Sequence, residues 1–244
     1  MTTPLALEIH ELRFRYPGTP SAAWTVDVPS LELGRAEPVL LQGGSGTGKS
    51  TLLFLVAGLM EPQHGRVLIN GENIHQLSGE KRDLFRGRTV GMIFQTFNLL
   101  NGFTALENVL AALMFSDLPP RNHRDRATSL LDSLGIDRPN QLVERLSVGQ
   151  QQRVAAARAV ACEPALVLAD EPTASLDPAN AEVAMDLIQK VTLEARAALL
   201  CTSHDPRLAT RFERIVDLEA LSSQSEPAAA TLELSTDRAE EKPE

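Results

Sequence analysis

The chain has 244 residues, 43% hydrophobic and 23% charged, enough for one large core or one core with a subdomain. A formal net charge of −9 argues against nonspecific nucleic-acid binding. No apolar stretch reaches the length of a membrane span, and "MTTPLALEIHELRFRYPG" lacks the charged start and cleavable apolar core of a secretory leader.

In chain order, the first third reads as strands: "LALEIHELRFRY", "WTVDVPSLEL", "PVLLQG", and "GRVLING" after a turn at Glu61–Gly65. Before that turn lies "STLLFLVAGLM", a nearly all-apolar helix that stops near Gly58. "RTVGMIF" is a further buried strand. From Gln95 to about Arg145 the character is helical, with "ALENVLAALMF" and "RDRATSLLDSLG", the latter closed by its glycine. A helix capped by Ser147 follows, then the strand "ALVLAD", a helix from Pro178 to about Arg196, the strand "ALLCTS", a short helix and "RIVDLEA". Cys162 and Cys201 fall in a helical and a strand-like run, and read as free thiols in a reducing cytoplasm.

Strands alternating with helices imply an α/β core built on a parallel sheet, with the leading strands as an antiparallel addition. The stretch of about 96–160 reads as a helical subdomain inserted into that core, within one domain spanning 1–221. Residues 222–244 are polar, with six acids against Arg238 and Lys242, and read as a disordered acidic tail.

"GGSGTGKST" fits G-x-x-x-x-G-K-[ST] between an apolar strand and a helix, the context in which that pattern cradles phosphate. In the loop of Gly43, Gly44, Ser45, Gly46, Thr47 and Gly48, the four glycines let backbone N–H groups turn inward at a helix N-terminus. Lys49 neutralises β/γ-phosphate charge, Ser50 offers its hydroxyl to Mg²⁺, and Thr51 follows. The chain therefore binds a nucleoside triphosphate. "ALVLADEP" ends a buried strand in Asp170 and Glu171, where ligands of open α/β sheets sit. Asp170 would hold Mg²⁺ directly or through water, and Glu171 would orient or deprotonate the attacking water. Gln95 and His204 also terminate strands. Gln95 can contact Mg²⁺ or water; His204 can bond the γ-phosphate or fix Glu171. Tyr16, the only tyrosine, can stack on a base, though taken alone it reads as core or surface packing.

Together and in this order, these features resemble the nucleotide-binding subunit of ATP-binding-cassette (ABC) transporters over about residues 5–220. The matching text is "GGSGTGKST" (Walker A), Gln95 (Q-loop), "LSVGQ" (signature), "LVLADE" (Walker B), "SLD" at 175–177 (D-loop) and His204 in "TSHD" (switch histidine), with Tyr16 at the adenine-stacking position. "FQTFNLLNGFTALENV" and "GQQQRVAAARAV" look like the branch that serves lipoprotein release, macrolide efflux and cell division. The resemblance implies a P-loop ATPase fold, ATP and Mg²⁺ as cofactors, and ATP hydrolysis coupled to a separate integral-membrane permease. It also implies a head-to-tail homodimer around two ATPs, in which Ser147, Val148, Gly149 and Gln150 of one chain face the γ-phosphate held by the other. Asp177 would link the two sites, and the surface around Gln95–Glu107 would dock the permease. Such a subunit is cytoplasmic, peripheral on the inner face of the membrane, with no nucleic-acid partner.

A GTPase is disfavoured because no N-K-x-D base-reading motif is present. An SMC-type DNA repair ATPase needs long coiled-coil arms between Walker A and signature, and only about a hundred residues separate them here. Translation-type cassette proteins usually carry two cassettes. The remaining rival is a cassette ATPase that acts mechanically on a permease-like partner or in a cytosolic assembly. Val148 departs from the family's glycine. It is a bystander if its backbone is helical, and a strained residue if φ is positive.

Overall fold

The computed structural model describes residues 5–18, 23–174 and 176–223. Strands β1 (Leu7–Phe14) and β2 (Val26–Leu33) alternate buried and exposed residues, the period-two pattern of strands with one face on a core. They pair antiparallel, and Pro29 is tolerated because β2 is an edge strand. Strand β3 (Pro38–Gln42) belongs to a second sheet and runs into the phosphate loop and helix α1 (Lys49–Val56). The chain then returns through β4 (His64–Ile69) and the two-residue β5 (Glu72–Asn73), completing an antiparallel sheet of order β2-β1-β4-β5.

Helix α2 (Gly79–Thr89) has no counterpart in the sequence reading. Its sequence, "GEKRDLFRGRT", carries no apolar stripe and buries no residue, so periodicity gives no signal for it. Strand β6 (Val90–Ile93) leads into three helices, α3 (Ala105–Leu113), α4 (His123–Ser133) and α5 (Val148–Val160). A Thr104/Glu107 capping box starts α3. The chain re-enters the core as β7 (Leu166–Asp170), α6 (Pro178–Glu194), β8 (Ala198–Thr202) and β9 (Arg214–Asp217). Helix α7 (Leu218–Ser223) covers the first two residues of the expected tail; residues 224–244 lie outside the described residues.

The second sheet is parallel throughout, in the order β6-β7-β8-β3-β9. Its inner strands are buried on both faces, which is why they read as continuous apolar runs. Alternate residues serve different cores. Leu166, Leu168, Ala198 and Leu200 pack with α1 and the antiparallel sheet, while Val167, Ala169, Leu199 and Cys201 pack with α5, α6 and the inserted helices. Gly91 lets α5 sit directly on β6: a Cβ there would lie 2.1 Å from the Ala159 carbonyl oxygen. Because β3, β6, β7 and β8 are parallel, Gly43, Gln95, Glu171 and His204 all emerge at one edge of the sheet. The two cysteines are free, as expected; burial pushes the Cys162 thiol up to about 11, and Cys201 further.

Candidate functional site

The phosphate loop joins β3 to α1 through a left-handed Gly48 (φ 96), whose Cβ would lie 2.3 Å from the Thr25 carbonyl oxygen. Helix α1 has no side-chain cap and no acid in its first turn, so its leading N–H groups remain available to an anion. Lys49 is only 7% exposed. Its ammonium donates to the carbonyls of Gly43 (3.0 Å) and Gly44 (2.8 Å) and lies 3.9 Å from Glu171 Oε1. The loop is thus held shut on its own lysine, which can exchange those carbonyls for phosphate oxygens. Thr47 Oγ1 donates to the Gly44 carbonyl, and Ser45 and Gly46 are exposed at the tip.

The end of one strand, β7, presents both acids. Ser50 Oγ donates to Asp170 Oδ1 at 3.0 Å, tying α1 to β7. Glu171 takes φ 45, a conformation rare for a residue with a side chain and costing on the order of 1–3 kcal/mol. That kink turns its carboxylate out of the strand, between Lys49 on one side and His204 Nδ1 on the other, with which it is hydrogen-bonded. Of the two roles open to His204 in the sequence, the structure shows the contact with Glu171. Thr202, unremarked in the sequence reading, bonds both Asp170 and the Glu171 backbone. Gln95 stands exposed past the end of β6, outside this network.

Ser50 and Asp170 offer hard oxygen donors, the set that suits Mg²⁺. Among the described residues no cluster of three or more His, Cys, Asp or Glu could hold a metal by itself. Tyr16 lies half exposed beside the start of α1. Its hydroxyl is 3.1 Å from Thr51 Oγ1, and its ring meets Phe14 edge-on at 5.0 Å.

The signature lies elsewhere. Ser147 caps α5 through a capping box with Gln150: Gln150 N–H donates to Ser147 Oγ at 3.3 Å, and Ser147 N–H to Gln150 Oε1 at 3.0 Å. Val148 is the first residue of α5, outside the positive-φ set, and 52% exposed. Nothing lies within 4 Å of a Cβ built on Gly149, and its φ is not left-handed, so the chain itself does not require glycine there. Ser147, Val148 and Gly149 line a cavity of about 690 Å³ with α6, whereas Gly43, Gly44 and His204 line a separate one. One chain does not bring its signature to its own phosphate loop. Asp177 caps α6 by accepting from Asn180 N–H at 3.1 Å, and hydrogen bonds from Asn180 hold its carboxyl below the usual range. Ser175 of the D-loop lies outside the described residues.

Two further tethers were missed in the sequence. Arg158, far along α5, donates to the carbonyls of Phe97 (2.7 Å) and Asn98 (2.6 Å), both at positive φ, and so binds the signature helix to the loop after Gln95. Only an arginine interrupting "VAAARAV" signals it. Glu219 of α7 accepts from Gly44 N–H at 3.2 Å, anchoring the phosphate loop to the C-terminal helix.

The family model for ABC transporters matches residues 26–174. The chain belongs to the ABC transporter family. It is 39% identical over 220 residues to the lipoprotein-releasing system ATP-binding protein LolD of Pseudomonas syringae pv. tomato, covering 90% of this chain and 97% of that one. LolD 1 of Rhodopseudomonas palustris is 41% identical over 201 residues, 82% of this chain and 89% of the relative. The dimeric ATP-binding cassette MJ0796 in a post-hydrolysis state with ADP and Pi superposes with a TM-score of 0.75 at 33% identity, over 87% of this chain and 94% of that one. This ABC ATPase is an ATP-hydrolysing enzyme with the P-loop fold that the sequence implied. No helix among its described residues is long and apolar enough to cross a membrane.

Proposed function

We propose that this cassette is the ATP-hydrolysing subunit of a lipoprotein-release type transporter, working as a head-to-tail homodimer on a separate membrane permease at the cytoplasmic face. The observation that carries the dimer is the separation of signature and phosphate loop on one chain. The uncapped α1 and its lysine accept phosphate on one edge, while the α5 N-terminus, with room over Gly149, faces another cavity. A second copy supplies what each edge lacks. The lipoprotein-release branch is supported by the identity to LolD proteins over most of the chain.

In this reading Gly43–Thr51 holds the phosphates, Lys49 leaves the Gly43 and Gly44 carbonyls for the β- and γ-oxygens, and Tyr16 stacks on adenine. Ser50 donates its hydroxyl hydrogen bond to Asp170 and so turns a lone pair outward to Mg²⁺, with Asp170 and Gln95 completing the metal side. Bound Mg²⁺ would neutralise charge building on the β- and γ-phosphate oxygens. Glu171 orients the attacking water and takes its proton as the bond from the γ-phosphorus to the bridging oxygen breaks, leaving ADP and phosphate. His204 holds the Glu171 carboxylate in place. Ser147 and the Gly149 backbone of the opposite chain donate to the γ-phosphate, and Asp177 fixes the start of α6 between the sites. The helical insertion of about 96–160 moves with the signature and carries the motion outward.

The permease docks in the cleft of about 320 Å³ lined by Leu59, Met92, Phe94, Asn98 and Phe115, beside the loop that Arg158 ties to α5. Leu100 and Phe103, in the loop after Gln95, are also exposed. Affinity purification from detergent-solubilised membranes tests the assignment. It predicts a polytopic partner whose addition raises ATPase turnover, weakened by Phe115→Asp. Stimulation by a soluble partner instead would favour a cytosolic assembly role.

A further inference from the structure

Thr202 closes β8 and is fully buried, directly opposite Asp170 in the β7–β8 ladder. Its hydroxyl meets three groups: the Glu171 N–H at 3.0 Å, Asp170 Oδ1 at 2.9 Å and the Ala169 carbonyl at 3.4 Å. A hydroxyl has one proton and two lone pairs. The Glu171 amide can only donate, so it takes a lone pair. The proton goes to Asp170, which is nearer than the carbonyl and, as a carboxylate, forms the stronger bond. Packing does not ask for that hydroxyl. Ala198 and Leu200, on the same face of β8, lie in the apolar core, and valine would continue their row.

We propose that Thr202 is a positioning residue for hydrolysis, setting both carboxylates at once. On Asp170, Thr202 and Ser50 converge on the same oxygen, Oδ1, and leave Oδ2 with its lone pairs for the metal side. On Glu171, the Thr202 oxygen satisfies the N–H at the residue whose φ of 45 turns the carboxylate towards His204 and Lys49. Without the hydroxyl, that N–H has no acceptor and the kink loses its anchor. A single buried atom therefore couples the metal-side acid to the water-side acid. The inference rests on the roles given above to Asp170 and Glu171.

The test compares Thr202→Val, which keeps shape and loses the hydroxyl, with Thr202→Ser and Thr202→Ala, which share one truncation and differ in the hydroxyl. ATPase kinetics of the full chain are measured beside the affinity for a fluorescent ATP analogue, with EDTA and with saturating Mg²⁺, and thermal melting checks folding. Thr202→Val and Thr202→Ala are expected to lose kcat by roughly 10- to 30-fold, from one bond to a charged group and one orphaned amide. Their affinity in EDTA stays within about 2-fold of wild type, and the gain in affinity given by Mg²⁺ shrinks about 5-fold. Thr202→Ser stays within about 3-fold of wild-type kcat. Should Thr202→Val not fold, the Ser and Ala variants decide. The inference is overturned if Ser and Ala fall equally, or if the hydroxyl-free variants keep wild-type kcat and Mg²⁺ response. Asp170→Asn separates the two levels. If it retains the Mg²⁺-dependent gain, the reading of Asp170 fails; if it loses the gain while Thr202→Val keeps it, only the role of Thr202 fails.

Discussion

The phosphate-loop edge and the signature edge of this cassette are built on opposite principles. At the first, polar groups are paired within the chain: Lys49 on the loop carbonyls, Ser50 and Thr202 on Asp170, His204 on Glu171. At the second, the start of α5 caps itself and then presents an exposed valine and a glycine with empty space above it. On the function proposed above, the first edge is preorganised for chemistry and would change partners when nucleotide enters. On the proposed homodimer, the second is preorganised for the surface of a second copy. Catalysis on this plan waits for assembly, so that hydrolysis and dimer closure report on each other.

The largest effect should come from poisoning the two edges separately. Lys49→Ala is expected to weaken ATP binding by roughly 100-fold or more, the consequence of removing a charged donor from a phosphate site. Ser147→Arg, which blocks the other edge, should leave nucleotide affinity of the single chain within about 2-fold while abolishing turnover, since no ligand contact of the phosphate loop is touched. Mixed in equal amounts, the two dead variants are expected to recover up to about a quarter of wild-type activity. Half the dimers are mixed, and each mixed dimer holds one intact site. Zero recovery would mean that the two edges do not meet across chains.

A smaller effect sharpens the signature side. Val148 sits in the first turn of α5 with ordinary helical backbone, so the strain that the sequence left open is absent. Val148→Gly should change ATPase rate by less than about 2-fold, helix-terminal propensity differences being a few tenths of a kcal/mol. A large gain would show that the valine side chain, half exposed beside the Ser147 cavity, hinders closure.

Much of this was legible in the sequence, for particular reasons. Inner strands such as β7 and β8 are apolar on both faces, and the motifs at their ends need residue types that few other contexts demand together. What could not be read depends on contacts rather than pattern. Helix α2 fully buries no residue, only leaning Phe85 on the core, and so leaves no periodicity. Thr202 passes for one more β-branched strand residue until the ladder places it opposite Asp170. Arg158 passes for a solvated charge until α5 is packed against the loop after Gln95. The empty space over Gly149 exists only in three dimensions, and it is the feature that points beyond the chain.

The most direct measurement is the solution mass of the Glu171→Gln variant by light scattering, with saturating ATP and Mg²⁺, with ADP, and without nucleotide. Removing the carboxylate should cut turnover by roughly 100-fold or more and leave ATP bound. The account predicts the mass of two chains with ATP and of one chain in the other two conditions. A variant that binds ATP fully and still has the mass of one chain would contradict it.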